Sequence, residues 1–163
     1  MAVESAELES RLRHTLSWLA GDDDAGWIVF EGQSVDWLIS NGRAVLGQHA
    51  AMKRWPAEQN ERLLHLLPEI QEVNRTRNFI VHGLWAAECF LDEDCEQRPQ
   101  HSPLDDRLFH VVRSRYRKGY QEREVAVSDI DELADRMVSL AASLDEAVKA
   151  ARDAWLGKSE IDV

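Results

Sequence analysis

Cysteine is scarce in this chain. Cys89 and Cys95 are the only two among 163 residues, too few for a disulfide framework, so stability must come from a packed core. Long apolar runs are also missing. None approaches the roughly 20 residues that span a bilayer, so neither a transmembrane helix nor a membrane partner is expected. The opening stretch MAVESAELESRLRH has no apolar signal core and carries acidic residues, which makes a cytoplasmic location the expectation. Positive charge is short as well. With 19 Lys and Arg against 30 Asp and Glu the net charge is −11, and a polyanion such as nucleic acid is repelled by such a surface taken as a whole. A local basic site stays open. No internal repeat, low-complexity tract or clear linker interrupts the sequence.

What remains is an ordinary globular composition, 44% hydrophobic and 30% charged, in a length that suits one domain. Leu8, Leu12, Leu16 and Leu19 recur at helical spacing and predict a first helix from about Val3 to Ala20. Gly21 to Gly26 break it. A second helix is expected from Trp27 to about Met52, carrying Phe30, Leu38, Ile39 and Leu46. Gly32, Gly42 and Gly47 within it mark either close helix approach or irregularity. Pro56 suits the start of a third helix, rich in leucine, with Pro68 inside as a kink or restart and Gly83 as its C-terminal cap. The pattern is lost from Leu84 to Asp106, where acidic residues and two prolines predict a loop. Leu108 to Val127 alternates as two strands around a turn at Lys118-Gly119. Ser128, with Asp131 three residues on, resembles the start of a last helix that carries Leu133, Met137, Leu140, Leu144 and Trp155. The expected fold is mainly α: an up-and-down bundle of about four long helices, with residues 84–127 inserted as a loop and β-hairpin before the last.

The charge is uneven along this insertion. Glu88, Asp92, Glu93, Asp94 and Glu96 form an acidic cluster, whereas Arg107, Arg113, Arg115, Arg117, Lys118 and Arg123 dominate its second half. These cations either blunt a solvated strand edge or form a nucleic-acid track, with Arg113 and Arg115 as candidate substrate contacts. Cys89, Cys95, His101 and His110 are separated by five, five and eight residues, without the tight Cys-x2-Cys pairing of most structural zinc sites, so no metal or cofactor is expected.

Chemistry is best placed on the third helix. Gln71, Arg75, Asn78 and His82 are four, three and four apart, which puts them on one stripe of a helix otherwise apolar nearly all round. Arg77 lies roughly 140° from His82 on an ideal helix, a gap that a long side chain narrows. Histidine exchanges a proton near neutral pH, arginine binds phosphate with two hydrogen bonds, and an asparagine one turn away can orient either the imidazole or a ligand oxygen. That set suits cleavage of a phosphodiester by a neighbouring ribose 2′-OH, without metal. A single histidine leaves the departing oxygen without an acid, so a symmetric homodimer pairing two copies of the motif is expected. The competing structural reading has an arginine paired with an acidic neighbour, His82 capping the helix, and Asn78 bonded within the bundle.

Arg77-Asn78, then His82 and Gly83, resembles the Arg-x4–6-His signature of the HEPN superfamily, in which a polar residue directly follows the arginine. The setting, late on a helix of a helical bundle, is similar too. This resemblance implies a metal-independent endoribonuclease with a composite dimer site and no cofactor. Relatives of this kind are often toxins or phage-defence effectors restrained by an antitoxin or other regulatory protein. Others are non-catalytic modules that dimerise or bind a partner or RNA. Carried onto this chain, the resemblance makes His82 the acid or base, Arg77 the phosphate binder and Asn78 its polar support. Arg75, six residues before His82, competes with Arg77 as the substrate-binding arginine.

Overall fold

Leucine spacing and backbone breaks set the elements of the computed structural model, which describes residues 1–21, 24–54, 56–86, 108–115 and 119–159. They are, in order, α1 (Ala2–Ala20), α2 (Asp24–Phe30), α3 (Val35–Ala51), α4 (Ala57–His82), β1 (Leu84–Ala86), β2 (Leu108–Arg115), β3 (Gly119–Ala126) and α5 (Val127–Ser159). The architecture is mainly helical, with four long helices, one short one, and a small antiparallel sheet of order β1-β2-β3 before the last helix. No helix among the described residues is long and apolar enough to cross a membrane.

Backbone contacts divide the chain into two compact units, Ala2–Asn74 with Arg136–Val163 and Met1 with Arg75–Asp135. The larger unit is the helical one. Leu12 and Leu16 of α1, Leu38, Ile39 and Leu46 of α3, Leu63, Ile70 and Val73 of α4, and Met137 and Leu144 of α5 are at most 1% exposed. Each such side chain removed from water contributes about 1.5–3 kcal/mol. A Cβ at Gly42 would come within 2.9 Å of the Leu16 side chain, so this glycine lets α3 approach α1 closely.

The expected second helix is two. Gly32 turns the chain with φ +71°, and Ser34 then caps α3 by accepting a hydrogen bond from the Trp37 amide at 3.3 Å. Trp27, Ile28 and Val29 consequently fall on a short helix that leaves them exposed. Pro68 does not end α4, which continues past it over 26 residues from Ala57 to His82, without the bond that the missing N–H would have made.

The smaller unit packs the end of α4 and the start of α5 with the sheet. Phe79, Ile80, Val111, Val125 and Leu133 form its core. In the β2–β3 register Val111 faces Arg123, and Phe109 faces Val125. These residues share one sheet face, because side chains alternate along a strand. Three residues expected in the loop, Leu84, Trp85 and Ala86, instead form β1 and pair with Val112, Val111 and His110. The rest of that loop, with the acidic cluster and both cysteines, lies outside the described residues, as does the turn at Lys118. The start of α5 also differs: the Ala126 amide donates to the Asp129 carboxylate at 2.7 Å, so the reciprocal half of the capping box falls at Asp129 rather than Asp131.

Candidate active site at the end of helix α4

The last turns of α4 place the expected residues in different surroundings. Arg77 and Asn78 are half-buried, while Arg75 and His82 are exposed. Arg77 donates from Nη1 to the Asn78 side-chain oxygen at 2.8 Å. Its Nε is buried without a hydrogen-bond partner, and it makes no ion pair among the described residues. Asn78 therefore holds the arginine, not the imidazole. Gln71, first of the polar stripe, is committed elsewhere: its side-chain amide donates to Asp36 at 2.7 Å.

Two contacts fix how α4 ends. The Trp85 indole donates to the Ile80 carbonyl at 2.8 Å, satisfying one of the last-turn oxygens that a helix leaves open. At Gly83, a Cβ would meet Val111 Cγ1 at 2.2 Å. This glycine does not have a positive φ. The helix ends where the sequence predicts, but for a different reason: close approach of β2, rather than a left-handed cap, requires glycine. His82 is the final helical residue and its cationic form suits the negative end of the helix dipole.

Beside this end stands a basic sheet face. The Arg123 guanidinium carbon lies 4.8 Å from the centroid of the Phe79 ring, a cation–π contact. Arg113 shares the face, opposite Gln121 and diagonal to Arg123; it is half-buried, and its Nη1 has no hydrogen-bond partner among the described residues. The Arg115 side chain lies outside the described residues. Arg123, which is exposed, was not among the expected site residues, although its alternation with the apolar Val125 carried the signal that the two share a sheet face.

No family model, curated protein or solved structure matches the chain.

The site's chemistry accordingly rests on its own geometry. An arginine whose one hydrogen bond among the described residues goes to a neutral amide keeps its full charge for an anion. An exposed imidazole in the last helical turn is accessible for proton transfer. Asn78 and His82 are four residues apart and share a helical stripe, and Arg77, which sequence spacing puts off that stripe, is tied to it by its hydrogen bond to Asn78.

Proposed function

We propose that the protein is a metal-independent endoribonuclease of the HEPN type, acting as a symmetric homodimer and serving as a toxin or phage-defence effector under a regulatory partner. The observation that carries this reading is the Arg77–Asn78 hydrogen bond, which orients an arginine that has no ion pair among the described residues, in the same two turns as the exposed His82. In the reaction His82 takes the proton of a ribose 2′-OH, and that oxygen attacks the adjacent phosphorus. Arg77 stabilises the charge developing on the phosphate. The bond to the 5′ oxygen breaks, and His82 of the second copy protonates the departing oxygen. The products are a 2′,3′-cyclic phosphate and a 5′-hydroxyl. Arg75 and Arg113, with Arg115, serve to hold the RNA backbone.

The decisive experiment incubates wild type and His82→Ala with total RNA and maps the ends. Cleavage leaving cyclic phosphates should fall about 100-fold or more in His82→Ala, the typical contribution of a general acid or base. Arg77→Ala should lose a comparable factor. Melting of His82→Ala should match wild type, because the side chain is exposed. Cleavage that persists in both variants would overturn the reading.

A second reading, a non-catalytic module that dimerises or binds a partner, is favoured by the apolar surface beside the motif. Val81 is 45%, Leu84 71% and Trp85 38% exposed. Under it no RNA is cut and a dimer survives His82→Ala. Cyclic phosphate ends that depend on His82 would exclude it.

A further inference from the structure

The helical unit contains a second place equipped for a ligand, sharing no residue with the α4 motif. A cavity of about 310 Å³ opens between the ends of α1, α3 and α5, at the small end of the range typical of ligand pockets. Trp18 and Trp155 line it, together with His49, Arg54 and Arg152. No carboxylate is among the described residues lining it, which is unexpected in a chain of net charge −11.

The backbone aims one of these cations into the cavity. At the end of α3, Lys53 donates to the Ala50 carbonyl at 3.1 Å and Arg54 to the His49 carbonyl at 3.2 Å. This pair of bonds is a Schellman turn, and it puts Lys53 at φ +50°, where glycine is usual. A non-glycine residue held there is strained and persists only when its surroundings fix it. The turn delivers Arg54 to the rim, with its guanidinium carbon 5.7 Å from the centre of the Trp155 ring. A flat cation against an indole marks a surface suited to stacking. Trp155 itself is 38% exposed, although its place on the apolar stripe of α5 predicts burial.

His49 completes the lining. Its Nε2 donates to the Leu19 carbonyl at 2.8 Å, and the ring is buried. Burial keeps the imidazole below its ordinary pKa, and the Arg54 charge adds to this against the opposing hydrogen bond. It therefore offers a neutral wall and leaves anion recognition to the two arginines.

We propose that this cavity binds a small organic anion that carries an aromatic ring, with the ring against Trp18 and Trp155 and a carboxylate or phosphate on Arg54 and Arg152. Indoles provide the stacking area, and paired guanidinium groups recognise the oxyanion.

The test is calorimetric titration of the full chain with indole-3-acetate, adenosine 5′-monophosphate, adenosine and inorganic phosphate. At least one of the first two should saturate at one per chain. Which of them does so separates a carboxylate from a phosphate ligand. Adenosine, which lacks the anion, and phosphate, which lacks the ring, should each bind at least about tenfold more weakly, the factor expected when a charge-assisted hydrogen bond or a stacked ring is lost. Arg54→Ala, Arg152→Ala and Trp155→Ala should each weaken binding by about the same factor. All three side chains are exposed, and melting curves check that each variant folds. Absence of saturable binding by both ring-bearing anions would overturn the proposal, as would binding unchanged in the folded arginine variants.

Discussion

A methyl group at Gly83 would lie 2.2 Å from Val111 Cγ1 and 2.9 Å from the Phe79 carbonyl oxygen. Neither neighbour has room to give. Val111 is fully buried in the sheet, and the Phe79 oxygen belongs to the backbone of α4. Gly83→Ala should therefore destabilise the protein by about 1–3 kcal/mol, the usual cost of overpacking. Urea unfolding reads this directly, and an unchanged midpoint would refute the close approach. At this scale the sequence was legible as an oddity. Arg77, Asn78, His82 and Gly83 stood out as polar or small residues in an apolar helix. Their contacts were not legible, because they come from the fold. The residue touching Gly83 is Val111 on β2, and the charge over Phe79 is Arg123 on β3, both remote along the chain. Helical spacing likewise offered Asn78 to His82, whereas the side chain chose its sequence neighbour Arg77.

Elements were clearest where apolar residues repeat over several turns. The stripes of α1 and α5 identified both helices because Leu12, Leu16, Leu140 and Leu144 are buried at that spacing. Boundaries were harder, since they depend on single backbone bonds. The break between α2 and α3 rests on Gly32 and Ser34, inside a stretch whose apolar spacing continues across it. Three-residue β1 is too short for any alternation to register, and only pairing with β2 defines it. The end of α3 offers a test at this scale. Lys53 occupies the left-handed position of its Schellman turn at a cost that glycine does not bear. Lys53→Gly should raise stability by about 0.5–1 kcal/mol, seen as a higher melting temperature. A lower one would mean that the Lys53 side chain supplies a stabilising contact larger than the strain.

Across the whole molecule, fold class followed from bulk pattern, since several apolar stripes in one short chain must bury each other. The pH response depends instead on which titratable groups that burial encloses. Exposed pairs such as Arg62 with Glu146, at 3.1 Å, contribute little. His49 is different, being buried with its Nε2 proton committed to the Leu19 carbonyl. A second proton would have to enter the ring in poorly solvated surroundings near Arg54, which is why its pKa in the folded protein is lowered. In the unfolded chain the group titrates near its ordinary value of about 6.5. Below that value the unfolded state binds more protons than the folded state, so stability there rises with pH. The His49 contribution is thus fully present above about pH 6.5 and is lost as pH falls through that value toward the lower folded pKa. His49→Gln keeps a side-chain N–H for Leu19 but cannot titrate. The wild-type melting temperature should therefore drop more steeply than that of His49→Gln between about pH 7 and pH 5. Parallel curves would show that His49 takes up its proton equally well in both states, and the lowered pKa would then be wrong.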